Sequence, residues 1–432
     1  MTASATTEVN EDRLFRKISL RVLPVLMIGF LLCYIDRVNI GFAKDQMTSD
    51  LGFSDAVYGF GAGIFFVGYF LFEVPSNMIM HRVGARRWIA RIMITWGILS
   101  ALMFLVHSPT QFYVMRFLLG AAEAGFIPGA IYYMSQWYPA LRRGRAWGTF
   151  YLALAASGLV GGPVAGLILT FAPSGGALSG WHWLLIIEGA ATMLLGVYIL
   201  FRLPDRFAEV SWLNDAEKAH LEAALTAESQ AKPKLRLGAL LTNGRLWLLV
   251  VIYFVYNCSL YATSFWLPTL VETAGVHGSL SIGFVSAVPS LCAAISMLVF
   301  GYTSDRTGDR RNHLIVAFLM ATVGLAMSVI WQDSLLGIVG LSLAYMGTLS
   351  IPPIFWNLPT AMLTGIVAAA GIAMINSFGN LAGFAAPYLV GYVKTATGST
   401  GAALNVIAGL MLVGAILVAT IRRRSLTSAD VE

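Results

Sequence analysis

Twelve apolar segments, separated by gaps that for the most part are alternately rich in and nearly free of basic residues, constrain this chain more than any other feature. The segments lie near 20–43, 56–80, 88–106, 110–136, 146–171, 183–201, 245–271, 281–303, 313–331, 335–357, 362–388 and 401–421. A helix needs about 20 residues to cross the hydrocarbon core of a bilayer. Most segments are apolar all round, as lipid-embedded helices are, and Gly and Ala dominate the fifth and eleventh. Arg13, Arg16, Lys17 and Arg21 precede the first segment, and Arg82, Arg86 and Arg87 follow the second, with Arg91 just inside the third. Arg142, Arg143 and Arg145 follow the fourth, a polar stretch from Arg202 to Arg245 follows the sixth, Arg306, Arg310 and Arg311 follow the eighth, and Arg422, Arg423 and Arg424 follow the last. The alternate gaps hold only Lys44 and Lys394. By the positive-inside rule both termini and the long middle loop are cytoplasmic.

Composition agrees. Only 12% of residues are charged and 57% are hydrophobic, against about 25% charged in a soluble domain. The first apolar run is longer than the core of a signal peptide, so it reads as an uncleaved span. Cys33, Cys258 and Cys292 all fall in apolar segments without a CxxC, so there is no disulfide framework. The net charge of +6 has no basic, aromatic-interleaved soluble segment behind it, so it reflects membrane topology and not nucleic-acid binding. The six histidines show no metal-ligand spacing, and no hydrolase, nucleotide or redox motif appears. The expectation is a non-enzymatic membrane protein with no metal and no cofactor.

The gaps contain a repeat. NMIMHRVGARR (77–87) aligns without gaps on GYTSDRTGDRR (301–311), each after the second segment of its half. Two copies at matching positions indicate two homologous six-helix halves, residues 1–201 and 245–432, joined by a linker at 202–244. Within the linker, Asp215 to Glu228 reads as a short surface helix.

The repeat resembles the signature of the major facilitator superfamily. The second copy fits at Gly301, Asp305, Arg306, Gly308, Arg310 and Arg311. The first retains Arg82, Gly84, Arg86 and Arg87 but has Asn77 for the glycine and His81 for the aspartate. The resemblance implies an all-α integral membrane fold, with twelve transmembrane helices in two pseudo-symmetric six-helix bundles. It also makes these loops cytoplasmic latches that gate rather than bind.

Ionisable residues at membrane depth cost about 2.5–3.5 kcal/mol by insertion scales, so they are few and usually functional. They are Asp36 and Arg37 on the first segment, Glu73 on the second, Arg116 and Glu123 on the fourth and Glu188 on the sixth, all in the N-terminal half. Arg116 and Glu123 share a helix face, two turns or about 10 Å apart. Asp36 and Arg37 diverge by about 100° and look at different neighbours. An arginine can grip a carboxylate bidentately and a buried carboxyl can carry a proton; together they are the parts of a proton–anion symporter.

YIDRVNIGFA, FEVPSN and RFLLGAAEAGFIPGAIYYMSQWYP are similar to the anion:cation symporter family, which includes bacterial carriers of sugar acids, tartrate and aromatic acids. The resemblance implies that Asp36 and Glu123 couple protons, that Arg37 and Arg116 serve coupling and the substrate carboxylate, and that Tyr69 faces substrate. Glu73 reads as gate or structure and Glu188 as structure. The C-terminal half is expected to supply neutral contacts. Candidates are Tyr253, Tyr256 and Asn257, Trp356 and Asn357, and Asn376 and Asn380 one turn apart, with packing or an interface belt as the alternative for each aromatic. The partners implied are a small carboxylate (hydroxy acid, sugar acid or aromatic acid) and the lipid bilayer, for a monomer in a bacterial inner membrane. One pattern points elsewhere: SGLVGGPVAG, with Gly158, Gly162, Pro163 and Gly166 but Leu167 in the final position, approximates a motif of drug:proton antiporters. Proton-coupled export of an organic molecule therefore stays open beside close helix packing.

Overall fold

The computed structural model describes residues 9–173, 176, 178–230, 243–362 and 365–421. Its helices in chain order are α1 (Glu11–Leu51), α2 (Asp55–Val83), α3 (Ala85–Leu102), α4 (Pro109–Glu123), α5 (Phe126–Ser135), α6 (Ala140–Phe171) and α7 (Gly180–Arg202). There follow α8 (Asp215–Gln230) in the linker, then α9 (Gly244–Thr273), α10 (Ser279–Thr307), α11 (Arg310–Ile330), α12 (Leu335–Phe355), α13 (Asn357–Met362), α14 (Gly365–Asn380), α15 (Ala382–Thr397) and α16 (Thr400–Thr420). Among the described residues, eleven helical stretches are long and apolar enough to cross a membrane. The remaining expected span, the eleventh, is made of α14 and α15, which meet at Leu381. The architecture is thus the expected one of two six-helix halves.

The boundaries differ from the apolar segments in an instructive way. The first helix runs from Glu11 to Leu51, not 20 to 43, because hydrogen bonding does not stop where lipid does. Asn10 caps its start by accepting from the Arg13 N–H at 3.0 Å, and Gly52 ends it with φ of 67°. The eleventh span likewise continues past 388 to Thr397, where Gly398 stops it.

Three spans that read as continuous are broken: the fourth at Ala124–Gly125, the tenth at Trp356 and the eleventh at Leu381. Gly125 takes φ of 95°, and Ser76 occupies the space where a Cβ would sit. The linker helix covers Asp215–Gln230, two residues beyond the expectation. Its start is reciprocally capped, with Glu217 N–H donating to Asn214 Oδ1 at 2.8 Å and Asn214 N–H to Glu217 Oε2 at 2.9 Å.

The repeated loops share a backbone device. Gly84 ends α2 at φ of 97° and Gly308 ends α10 at φ of 68°, each donating its N–H four residues back. The glycine of the repeat is therefore a helix stop used twice.

The two halves meet mainly along α6 against α10 and α2 against α15. The small residues of SGLVGGPVAG form the first seam: Gly158 lies against Ser290, Gly162 against the Gly283 carbonyl and Gly166 against the Ser279 carbonyl. Contacts across the halves gather toward the end of the bundle that is poor in cations. There Tyr58 donates to the Phe265 carbonyl at 2.9 Å and the Ala56 N–H to Thr395 Oγ1 at 2.9 Å. Lys44 lies 3.0 Å from both Asp45 and Asp55, and Lys394 reaches Asp55 at 3.3 Å. Trp266 lies under both lysines, 4.9 and 5.2 Å from ring centre to Nζ.

Candidate functional site

The six ionisable residues at depth are all nearly or fully buried: Asp36, Arg37, Glu73, Arg116, Glu123 and Glu188 are each at most 5% exposed. Their pairing is not what sequence spacing suggested. Arg37 on α1 turns toward the end of α4, where it forms an ion pair with Glu123; its Nε also donates to Glu123 Oε1 at 3.2 Å. Cys33, one turn before, donates its thiol to the same oxygen at 3.2 Å. The break after Glu123 places this carboxylate at a helix end. Around the guanidinium stand Tyr69, Phe65 and Phe66, with ring centres 5.2, 5.4 and 5.7 Å away. Aromatic faces attract a cation electrostatically, more so when it is desolvated.

Arg37 also reaches the other half. Its Nη1 donates to the Tyr261 hydroxyl at 3.4 Å, and that hydroxyl donates to Asn380 Oδ1 at 3.2 Å. A chain of polar contacts thus runs from Glu123 through Arg37 and Tyr261 to Asn380, at the break between α14 and α15. Tyr261 was not singled out in the sequence, although Tyr253, Asn257 and Tyr261 recur every four residues on one face of α9.

Arg116 does not meet Glu123. Gly120 lets α4 approach α2 so closely that a Cβ would collide with the Phe65 carbonyl. The Arg116 guanidinium then donates to the carbonyls of Gly61 and Ala62 at 3.3 and 3.2 Å and lies 4.9 Å from the Phe65 ring. Its Nη1 has no hydrogen-bond partner. In this arrangement Arg116 ties α4 to α2, and Arg37 is the arginine that pairs with a carboxylate.

Asp36 points away from Arg37, to the interior of the N-terminal half. It accepts from Thr192 Oγ1 on α7 at 2.7 Å, and Asn39 Nδ2 lies 3.5 Å from its other oxygen. Asn39 also donates to Glu188 Oε2 at 2.8 Å.

Glu73 accepts from Ser377 Oγ of the opposite half at 3.0 Å, and Asn376 faces the same carboxylate. Tyr256 packs on Tyr253 with ring centres 5.2 Å apart, and Trp356 on Tyr253 at 4.9 Å, so these aromatics form one stack at the break of the tenth span.

The gating motif lies away from this centre. Arg82, Arg87 and Arg306 are exposed. Arg86 pairs with Asp205 at 3.0 Å and Arg311 donates to the Ala419 carbonyl, each within or beside its own half. Gly301 has open space around it, Gly84 and Gly308 are the helix stops described above, and Arg310 opens α11. The side chains of His81 and Asp305 lie outside the described residues.

Sequence reading passed over the cluster of Lys44, Asp45, Asp55 and Lys394, using the lysines only as minor cations in the count of gaps. The signal was the pair of aspartates beside an isolated lysine.

Among the described residues no group of His, Cys, Asp and Glu side chains is arranged to hold a metal ion.

Comparison with known proteins places the chain. The profile of the Major Facilitator Superfamily matches residues 26–387. A protein of Agrobacterium vitis whose name assigns it to tartrate transport is 45% identical, over 96% of this chain and 95% of its own length. The metabolite transport protein NicT of Pseudomonas putida is 44% identical, over 96% and 97%. A quinolone resistance transporter of Acinetobacter baumannii is 38% identical, over 94% of each. Among solved structures, a D-xylose–proton symporter superposes with a TM-score of 0.73 at 16% identity, over 95% of this chain and 98% of that one, which speaks for the fold alone.

Proposed function

The chain belongs to the Major Facilitator Superfamily, and from that premise we propose that it is a proton-coupled symporter that carries a small organic carboxylate into a bacterial cell. It sits in the inner membrane with both termini in the cytoplasm. The observation that carries this reading is the position of Arg37. It is held by Glu123 on one side and touches the neutral Tyr261–Asn380 pair of the other half.

A guanidinium has one preferred fork for a carboxylate. A substrate carboxylate arriving between the halves competes with Glu123 for that fork. Glu123, released into the membrane interior without its cation, then takes a proton, because an uncompensated charge there is costly. With a single substrate carboxylate on Arg37 the loaded centre again carries no net charge and can cross as the two halves rock. Arg116 supports the same centre by holding α4 against α2. With the cation-rich loops in the cytoplasm, the Lys44–Asp55–Lys394 cluster lies on the periplasmic side and ties the two halves together there.

The name of the Agrobacterium relative makes tartrate the first substrate to test. Purified protein in vesicles, given tartrate outside and an inward proton gradient, is expected to accumulate it, and to take up less when the gradient is collapsed. Accumulation that is indifferent to the gradient would remove proton coupling.

Export by antiport is the second reading. The quinolone resistance relative and the SGLVGGPVAG seam favour it. The same vesicles decide: an inward proton gradient drives uptake in symport and extrusion in antiport.

A further inference from the structure

Glu188 has no place in the coupling scheme above, yet its surroundings are unusual. It lies in the membrane interior on α7, one turn from Thr192, with its Oε2 bonded to Asn39 and its Oε1 without a partner. Asn39 Nδ2 is 2.8 Å from Glu188 and 3.5 Å from Asp36, so one amide group bridges two carboxyl groups. Thr192 holds the second oxygen of Asp36, and Trp96 and Ser100 face Asp36 from α3. The charged groups beyond are Glu123 and Arg37, and Arg37 is committed to Glu123. Among the described residues no other cation stands out beside the two carboxyls. Two like charges sharing a site cannot both be ionised cheaply, and in the membrane interior no water offsets the cost.

Glu188 is also open to something that Asp36 is not. It lines a cavity of about 50 Å³ between α1, α6, α9, α10 and α12, together with Asn39, Tyr34 and Ser286. The Tyr34 hydroxyl and Ser286 Oγ, like Glu188 Oε1, are buried without a partner. Tyr345, the other titratable group on this wall, lies within 3.5 Å of Ser264 Oγ. Three unpartnered polar atoms around one small cavity are the setting in which buried water is found, and a water needs only about 10–15 Å³ of such space.

We infer that Asp36 and Glu188 form a single site that holds one proton between them, with Glu188 as the member that exchanges it through the cavity. The Arg37–Glu123 pair is charge-balanced and answers to substrate; the Asp36–Glu188 pair is charge-deficient and answers to protons. The shared proton stands on the geometry alone. Its use in transport rests on the symport reading above.

The test is an infrared titration of the purified full chain in lipid, following the C=O stretch of carboxylic acids against pH. Coupled carboxyls lose their protons in two macroscopic steps that belong to the pair. Subtracting the Glu188→Gln trace from the parent trace is expected to reveal such a pair, with the step at higher pH lost in the variant. Asp36→Asn is expected to lose that same step, because either change leaves one carboxyl beside a neutral amide. Glu188→Asp is expected to keep both steps. If Glu188→Gln fails to fold, Asp36→Asn reads the coupling from the other side. Loss of independent single steps in the two variants, each leaving the other carboxyl's titration unchanged, would overturn the inference. The spectrum does not depend on any transported acid. A failure of tartrate uptake would therefore count against the symport reading and leave this one standing.

Discussion

The interiors of the two halves differ in kind. The N-terminal half buries Asp36, Arg37, Glu73, Arg116, Glu123 and Glu188. Among the described residues of the C-terminal half no charged side chain is buried; its buried polar groups are serines, threonines and Asn257. Several of these bond within that half, as Ser259 does with Thr348 at 2.9 Å and Ser296 with Ser350 at 2.9 Å. The two halves thus share a fold and a loop signature but not a chemistry. Among the described residues of the two halves, one half carries every buried charge. The other offers Tyr261 and Asn380, which can bond to either partner of the centre without changing its charge. Under the proposed symport, the asymmetry assigns coupling to one half, and affinity and the path to the other.

The largest expected effect comes from breaking the ion pair on the charged side. Arg37→Met leaves Glu123 buried without its cation, a loss of about 3–5 kcal/mol when a buried pair is halved. Thermal unfolding in detergent is expected to show a strongly destabilised protein with no substrate binding. The double variant Arg37→Met/Glu123→Gln is expected to recover the stability and still not transport. A single variant as stable as the parent would show that the pair is not what holds α1 to α4.

Next is Arg116→Lys, which keeps the charge and loses the planar fork. Because Arg116 donates to the Gly61 and Ala62 carbonyls, stability is expected to fall by about 1–3 kcal/mol, the cost of buried groups left unsatisfied. Substrate affinity of the folded fraction then separates its two assignments. Unchanged affinity makes Arg116 a tie between α2 and α4, and lost affinity makes it part of the site.

On the neutral side the effects are expected to be smaller and of a different type. Tyr261→Phe removes one hydrogen bond to Arg37, worth about 0.5–1.5 kcal/mol. It is expected to weaken substrate binding up to about tenfold and leave the number of protons moved per substrate unchanged. A changed proton ratio in this variant would erase the division of labour between the halves.

The smallest expected effect lies outside the membrane, where the linker helix α8 joins the N-terminal half. Burial works to raise the Glu217 carboxyl, but Lys17, 2.9 Å away, and the Asn214 N–H outweigh it and hold it below the usual carboxylate range. A carboxyl held lower in the folded state contributes stability that is present above its unfolded pKa and is lost as pH falls through the folded one. Protease cleavage near α8 is therefore expected to quicken as the pH drops below the ordinary glutamate range, and Glu217→Gln to be cleaved at the faster rate at all pH values.

Much of this was legible in the chain. The apolar segments and alternating basic gaps pointed to the span count, because lipid leaves few other ways to place such residues, and the repeated loop pointed to the two halves. The charges at depth could be listed outright. Their partners could not. Asp36 and Arg37 had to diverge, but only the packing of α4 and α7 on α1 decides that Arg37 meets Glu123 and Asp36 meets Thr192. Arg116 and Glu123 do lie on one unbroken helix, but about 10 Å apart along its axis, and the close approach of α2 at Gly120 and the reach of Arg37 from α1 give them different partners. Glu188 was read as structure because nothing in WLLIIEGA shows that Asn39 will bridge it to Asp36. Tyr261 was readable from its four-residue spacing with Tyr253 and Asn257.

The central claim of the proposal is that substrate competes with Glu123 for Arg37, so that substrate binding drives a proton onto Glu123. Calorimetry of tartrate binding in buffers of different ionisation enthalpy measures the protons taken up on binding. The account predicts that the parent protein takes up protons as tartrate binds, and that Glu123→Gln binds and exchanges tartrate with less proton uptake and does not accumulate it against a gradient. Equal proton uptake in the two proteins would contradict it.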